Sequence, residues 1–158
     1  MNTLPRRKPY RLKEYDYSSV GAYFVTICTE NRIPCLSEII VGTSIARPPE
    51  LHLRPYGKIV EEALLQIPER YSGVFVDHSV IMPNHIHLLL RLTGGDCPRL
   101  ERIIQQFKGY VTKQCGKSIW QNKYYDHVIR DRNDYLTKAQ YILNNPAKWL
   151  EDEYYSNA

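Results

Sequence analysis

Two histidines flank one aliphatic residue in segment 82–90, which reads Met-Pro-Asn-His-Ile-His-Leu-Leu-Leu. Because side chains alternate between the faces of a β-strand, His85 and His87 should share one face and Ile86 should take the other. Neutral imidazole is a common metal ligand, so two imidazoles side by side in an apolar strand predict a divalent metal site. A bare His-x-His also allows a simpler interpretation, in which one histidine is a hydrogen-bonded core residue and the other lines a surface.

The third ligand decides which metal such a site would hold. Mg²⁺ or Mn²⁺ would suit a site that is completed by oxygen ligands, whereas catalytic Zn²⁺ would need a further His, Cys or carboxylate. His52, His78 and His127 are scattered along the chain. An antiparallel register could bring His78 near the pair from the preceding strand. We predict that it is a neighbour of the pair and not a ligand.

Two tyrosines could act as a nucleophile beside this metal, since each has an amide residue four positions later on the same helix face. The pairs are Tyr141 with Asn145 and Tyr110 with Gln114. Asn145 also precedes Pro146, a pattern typical of a helix N-cap followed by proline at the first helical position. The residues alone leave open which tyrosine acts and whether Asn145 is a ligand or a cap. The chain has no nucleophile elbow, P-loop or dinucleotide-binding glycine motif.

Hydrophobic periodicity predicts the elements that must position these residues. The predicted strands are 21–29, 74–82 and 85–92, with a peripheral hairpin of 37–41 and 50–53, and segment 120–129 is ambiguous. The predicted helices are 57–67, ending near Pro68, then 98–114, 134–144 and 146–153. This order predicts an α+β domain of the ferredoxin-like, split βαβ type. It would be an antiparallel sheet with helices on one face and a C-terminal helix that carries Tyr141.

Length and composition narrow the class of protein. The 158 residues are enough for one domain with a sizeable core, so we predict a single domain over 1–158. We expect neither a membrane span nor a signal peptide, because no apolar run is long enough and the start is polar and basic. Four cysteines without a Cys-x-x-Cys pair predict reduced thiols and a cytoplasmic location.

A basic arm, about residues 1–17, is a candidate for binding nucleic acid. It contains three tyrosines, Tyr10, Tyr15 and Tyr17, and five cationic residues: Arg6, Arg7, Lys8, Arg11 and Lys13. Cationic side chains between aromatic platforms can follow a phosphate backbone, so we predict that the arm binds nucleic acid. The alternative is a solvated terminus without a partner. The net charge of +4 permits a nucleic-acid partner but does not require one.

Taken together, these motifs resemble the REP-associated tyrosine transposases, a branch of the HUH single-tyrosine transposases. The matches follow the family's order and cover nearly the whole chain. They are Tyr15-Asp16-Tyr17, segment 21–27, the Met-Pro-Asn-His-x-His block, Phe107-Lys108, Trp120-Gln121 and Tyr141-Ile142-x-x-Asn145-Pro146. Segment 42–53 and the short tail after Trp149 depart from the family pattern.

The resemblance implies that His85 and His87 bind Mg²⁺ or Mn²⁺ and that Asn145 is the third ligand. It implies Tyr141 as the nucleophile, with Tyr110 as the runner-up. The substrate would be single-stranded DNA near palindromic, hairpin-forming repeats, cut and rejoined through a 5′-phosphotyrosine by a monomer or a homodimer. Two other hypotheses stay open: a catalytically inactive, domesticated DNA- or RNA-binding module of the same fold, and a zinc hydrolase.

Overall fold

The computed structural model describes residues 21–40, 49–94 and 96–151. Its elements, in chain order, are β1 (Gly21–Cys28), a 3₁₀ turn (Glu30–Arg32), β2 (Ser37–Ile40), β3 (Glu50–Leu53), α1 (Pro55–Arg70), β4 (Val74–Ile81), β5 (His85–Leu92), α2 (Leu100–Cys115), β6 (Tyr125–Val128), α3 (Arg132–Asn144) and a 3₁₀ helix (Pro146–Glu151). This order confirms the predicted α+β class. The basic arm with Arg6, Arg7, Lys8, Arg11 and Lys13 lies outside the described residues.

Four strands form one antiparallel sheet in the order β4-β5-β1-β6, and β2 and β3 form a separate hairpin. The connection through α1 leads from β1 to β4, and the connection through α2 leads from β5 to β6. Two interleaved β-α-β units of this kind are the ferredoxin-like arrangement that the sequence predicted. The histidine strand β5 therefore lies in the interior of the sheet, between β4 and β1.

One face of the sheet carries most of the apolar core. The side chains of β5 that alternate with the histidines, Ile86, Leu88 and Leu90, are fully buried against α1 and α2. The apolar stripes of the two helices supply Val60, Leu64, Ile67, Leu100, Ile103, Ile104 and Phe107. Full burial of one such side chain contributes about 1.5–3 kcal/mol to folding. Most of the stability of the domain therefore comes from this face.

The opposite face is covered by α3 with a much smaller apolar contact. Ala139 and Ile142 of α3 pack on Phe24 of β1 and Leu89 of β5. Polar contacts near the start of the helix add to this packing: Tyr135 Oη donates to Asp77 Oδ2 at 2.7 Å. The sequence predicted the helix, and the structure shows that it takes the face away from α1 and α2.

Several element boundaries differ from the prediction. Helix α1 continues through Pro68 to Arg70 because this proline lies in the last turn, where its missing N–H removes one hydrogen bond only. Tyr71 N still donates to Ile67 O at 3.0 Å and closes the helix. In the ambiguous segment 120–129, only Tyr125–Val128 forms a strand. None of the described helices is both long and apolar enough to cross a lipid bilayer.

Candidate active site

His85 and His87 lie side by side on the α3 face of β5. Their Nε2 atoms are 3.1 Å apart and their ring centroids 4.6 Å apart. Both side chains are almost completely buried, with 0% and 1% of their surface exposed. The shared face follows from strand alternation, as the sequence predicted.

Burial keeps both imidazoles neutral. Desolvation, followed by the neighbouring His87 and Arg32, lowers the pKa of His85 from 6.5 to about 2. Desolvation, followed by the positive charge of Lys138, lowers the pKa of His87 from 6.5 to about 3. At neutral pH each ring therefore carries one proton and one lone pair. A neutral imidazole with an available lone pair is the form that binds metal.

Hydrogen bonds on the far side of each ring fix its orientation. His85 Nδ1 lies 2.8 Å from Asn84 Oδ1, and His87 Nδ1 lies 2.8 Å from Thr26 Oγ1. Thr26 stands opposite His87 in the register between β1 and β5. Such partners are typical of metal-binding histidines, since they set the tautomer and the direction of the ligating nitrogen.

A strained turn holds Asn84 in place. Asn31 and Arg32 both have positive φ angles, 55° and 54°, which are uncommon for residues other than glycine. Asn84 Nδ2 donates to Arg32 O at 3.3 Å, and Thr29 Oγ1 donates to Ile33 O at 2.8 Å. Backbone strain of this kind is found where the surrounding structure needs a particular geometry, often beside a functional site.

Tyr141 reaches the histidine pair from α3. Its ring meets the His87 ring edge to face, with 5.2 Å between centroids, and meets Phe24 at 5.9 Å. The side chain is 41% exposed, so a large substrate could contact the phenol. Lys138, one turn earlier on α3, places its Nζ 5.3 Å from the centroid of the Phe24 ring. The phenol, the histidines and a cation thus lie on one face of the sheet.

Asn145 is buried, with only 3% of the residue exposed. Within the part of the chain that the structure describes, neither Oδ1 nor Nδ2 of its amide has a hydrogen-bond partner. Its backbone is helical, with φ −60° and ψ −44°, so it continues α3 and does not have the extended conformation of an N-cap. Four residues earlier Tyr141 contacts His87, and four residues later the Trp149 ring stacks on His85 at 6.1 Å. Asn145 therefore lies in the chain between two residues that contact the histidine pair.

These residues fit a divalent ion with a preference for octahedral geometry. Neighbouring ligands 90° apart, each about 2.1 Å from an octahedral ion, have donor atoms about 3.0 Å from each other. The two Nε2 atoms, at 3.1 Å, match this spacing. Asn145 Oδ1 would add a hard oxygen ligand and would give the buried amide a partner. Among the residues that the structure describes, no three His, Cys, Asp or Glu side chains form a metal-binding group of the kind that catalytic Zn²⁺ uses.

Other candidates from the sequence lie elsewhere. Tyr110 packs with α1 and α2 on the opposite face of the sheet, where Gln66 Nε2 donates to its hydroxyl at 3.2 Å. His78 faces Tyr135, with 6.4 Å between ring centroids. His52 pairs with Glu50, and His127 pairs with Asp134. The structure therefore brings Tyr141, and not Tyr110, to the histidines.

The sequence interpretation missed three residues of this site. Asn84 is adjacent to the histidines and was assigned only to a turn, although its place next to a predicted ligand was a usable signal. Trp149 lies two helical turns after Tyr141, a spacing that predicts a shared face. Thr26 had no local signal, because its contact with His87 depends on the pairing of β1 with β5.

Comparison with known proteins agrees with these motifs, although no family model matches the chain. An uncharacterised Haemophilus influenzae protein is 34% identical over 94% of this chain and 93% of its own length. A second protein of that organism, provisionally named a REP-associated tyrosine transposase, is 28% identical over 84% of this chain and 74% of its own. The REP-associated tyrosine transposase of Escherichia coli K12 is 38% identical over 46% of this chain and 45% of its own.

A solved structure shares the fold. It is a REP-associated tyrosine transposase bound to a REP hairpin. The match covers 87% of this chain and 74% of the solved chain, with a TM-score of 0.65 and 23% sequence identity. The sheet order, the two α-helical connections and the motif order are thus consistent with the relatives found by sequence. The chain is thus similar in sequence to proteins named REP-associated tyrosine transposases, and it shares the fold of the solved one.

Proposed function

We propose that the protein is a metal-dependent transposase that cleaves and rejoins single-stranded DNA at hairpin-forming sites through Tyr141. The observation that carries this proposal is the convergence of a phenol and two neutral imidazoles on one face of the sheet. Four residues after the phenol, the buried Asn145 amide has no hydrogen-bond partner among the described residues, which suits a ligand role. Relatives that are named transposases support a DNA-processing enzyme, and the relative bound to a REP hairpin supports hairpin DNA as the target.

His85 and His87 would hold Mg²⁺ or Mn²⁺ through their Nε2 atoms, with Asn145 Oδ1 as the third protein ligand. When bound, such an ion neutralises charge on a scissile phosphate and favours a nearby phenolate over the phenol. Asn84 and Thr26 hold the rings so that both Nε2 atoms face the same space. Trp149 covers His85, and its ring helps to exclude water from that side.

Tyr141 would perform the cleavage. Its phenolate oxygen forms a bond to phosphorus, the bond from phosphorus to the 3′ oxygen breaks, and the departing oxygen takes up a proton to leave a free 3′-OH. The DNA stays attached to the enzyme through a 5′-phosphotyrosine. Because this linkage is a diester like the one that was cut, a 3′-OH can attack it and restore a continuous strand without ATP.

Lys138 would assist by position. Its side chain lies over Phe24 on the face that carries Tyr141, where a cation can attract the DNA backbone. The half-exposed ring of Tyr141 leaves room for a phosphodiester to approach from solvent.

The test is covalent capture. Protein is incubated with Mn²⁺ and a labelled library of single-stranded oligonucleotides that carry hairpins, and adducts are separated on a denaturing gel. We expect Tyr141→Phe to abolish the adduct while hairpin binding is retained. Tyr110→Phe is the matched control, because it removes a phenol from the opposite face, and it should leave adduct formation intact.

Two results would contradict the proposal. An adduct formed by Tyr141→Phe but not by Tyr110→Phe would assign the nucleophile to the other tyrosine. Salt-sensitive hairpin binding by the native protein without any metal-dependent cleavage would instead favour the DNA- or RNA-binding module without catalysis.

A further inference from the structure

The turn that precedes the histidine strand is held at both of its carbonyl groups. Pro83 and Asn84 form this turn, and His85 follows directly as the first residue of β5. Thr29 N donates to Asn84 O at 2.9 Å, and Leu36 N donates to Pro83 O at 3.0 Å. Both donors belong to the connection from β1 to β2. This connection therefore fixes the backbone from which the first imidazole extends.

Thr29 supports the turn with its side chain as well as with its backbone. Its hydroxyl donates to Ile33 O at 2.8 Å and also lies 3.1 Å from Asn84 O. The residue is 1% exposed, so water cannot easily replace the hydroxyl as a donor. A methyl group in its place would keep the shape of the side chain and remove the donor.

The other support, Leu36, is itself held by the start of α1. The backbone N of Arg54, the residue before this helix, donates to Leu36 O at 2.9 Å. Leu36 is fully buried. One residue thus contacts α1 through its carbonyl group and the histidine turn through its N–H, so a displacement at the start of α1 would be passed to the turn.

Gly57, in the first turn of α1, leaves no room for a side chain at this contact. A Cβ atom on Gly57 would collide with Leu36 O and would lie 3.0 Å from Leu36 C. Both atoms belong to a buried backbone, so they cannot swing aside as the end of a long side chain could. Carbon atoms in contact normally lie about 3.5–4.0 Å apart, so either the helix or the Leu36 peptide would have to move. Glycine is the residue that permits such a close approach of two backbones.

We propose that Thr29 and Gly57 are positioning residues for the metal site. Thr29 holds Asn84 O directly, whereas Gly57 lets α1 approach closely enough to hold Leu36, which in turn holds the carbonyl of Pro83. Both act through the turn that carries His85 and not as ligands. The inference rests on the proposed metal site and extends its support to a helix on the opposite face of the sheet.

The first test is the Mn²⁺ affinity of Gly57→Ala without DNA, measured from the electron paramagnetic resonance signal of free Mn²⁺. We expect this variant of the full-length protein to bind Mn²⁺ about 10–100-fold more weakly than the native protein. Gly109→Ala is the matched control, because a Cβ on Gly109 in α2 would meet no atom within 4 Å. It should stay within about 3-fold of the native affinity. Binding is measured where circular dichroism shows each protein to be folded, so a loss of stability alone would not change it.

The second test uses the hydroxyl of Thr29. Thr29→Val should weaken Mn²⁺ binding by about 10-fold, and Thr29→Ser, which keeps the donor, should restore an affinity within about 3-fold of the native value. This pair of variants decides the inference if Gly57→Ala does not fold.

Amide hydrogen exchange locates the cause of a weakened affinity. The Leu36 N–H should exchange faster in Gly57→Ala, because its bond to Pro83 O is displaced, and should be unchanged in Gly109→Ala. Native Mn²⁺ affinity in folded Gly57→Ala or in Thr29→Val would overturn the role of that residue and leave the metal site standing. Failure of the native protein to bind Mn²⁺ would overturn the metal site and this inference together.

Discussion

At the scale of single residues, the two buried asparagines show how the same side chain can serve structure or function. Asn84 is 1% exposed and its amide makes hydrogen bonds on both sides, to His85 and to Arg32 O. Asn145 is 3% exposed, and its amide has no hydrogen-bond partner among the residues that the structure describes. A buried polar group without a partner costs about 1–3 kcal/mol, so the fold tolerates Asn145 at a loss of stability. The proposed ligand role would give this amide a partner.

Replacing each asparagine by alanine should separate the two roles. We expect Asn84→Ala to lower the free energy of unfolding of the metal-free protein by about 1–3 kcal/mol, since it leaves its partners unsatisfied. Asn145→Ala should change that free energy by less than about 1 kcal/mol, because it removes an unsatisfied amide as well as packing. The same Asn145 variant should bind Mn²⁺ about 10–100-fold more weakly. Urea unfolding and metal titration measure the two effects, and a large loss of stability in Asn145→Ala would mean that its amide is satisfied.

At the scale of elements, α3 is attached to the sheet differently from the other helices. Helices α1 and α2 bury long apolar stripes, whereas α3 buries only Ala139 and Ile142. Its first turns are held by polar pairs, with Tyr135 on Asp77 and Asp134 on His127 at 2.8 Å. Burial, followed by the hydrogen bond to the Asp77 carboxylate, raises the pKa of Tyr135 to about 12, so the phenol remains a donor at all physiological pH values. The helix that carries Tyr141 therefore depends on a few local contacts.

Loss of one of these contacts should loosen α3 selectively. We expect Tyr135→Phe to lower the free energy of unfolding by about 1 kcal/mol. The expected loss is smaller than for a fully buried hydrogen bond to a carboxylate, because Tyr135 is only half-buried and water screens the contact. Amide hydrogen exchange should become faster in α3 and stay unchanged in α2. Tyr110→Phe, which removes a phenol hydrogen bond between α1 and α2, is the control and should leave α3 exchange as it is. Equal acceleration in both helices of the Tyr135 variant would argue against an independent attachment.

Local rules predicted most of these elements and only part of the site. Strand alternation was sufficient for the shared face of His85 and His87. The choice of Tyr141 over Tyr110 came from the resemblance to a family, because both tyrosines lie on helices with an amide four residues later. The register that sets Thr26 opposite His87 is a long-range property. Asn145 shows the limit of local rules, since the residue before a proline normally avoids the helical conformation that it adopts here.

At the scale of the whole molecule, the two faces of the sheet carry different kinds of residues. The α1–α2 face contains the large apolar cluster, and the α3 face contains the buried imidazoles, a small apolar cluster and the phenol. Two neutral histidines in the interior also link the stability of the entire domain to pH, because the unfolded chain exposes them to water.

The metal-free protein should lose stability as the pH falls below about 6.5, because histidine binds protons more tightly in the unfolded chain than in the folded one. Folded-state pKa values are about 2 for His85 and about 3 for His87, against 6.5 for exposed histidine. Above pH 6.5 these histidines are neutral in both the folded and the unfolded state, so they contribute no pH dependence to the free energy of unfolding. Below it the unfolded chain binds protons that the folded chain does not, and the free energy of unfolding falls by about 1.4 kcal/mol per pH unit for each histidine.

The measurement is urea unfolding between pH 5 and pH 7 with a chelator present. The double variant His85→Gln/His87→Gln is the control, since it keeps polar side chains that do not titrate in this range. We expect a clearly smaller slope for the variant. Parallel curves for the two proteins would mean that other groups cause the acid sensitivity.

The alternation of β5 has one more consequence, which concerns insertions and deletions. Adding one residue between His85 and Ile86, inside the strand, would move every later side chain of β5 to the other face of the sheet. Ile86 and Leu88 would then lie on the α3 face, while the His87 imidazole entered the apolar cluster against α1 and α2. A reading-frame-preserving indel at this point should therefore abolish folding and catalysis together, even where many point changes are tolerated.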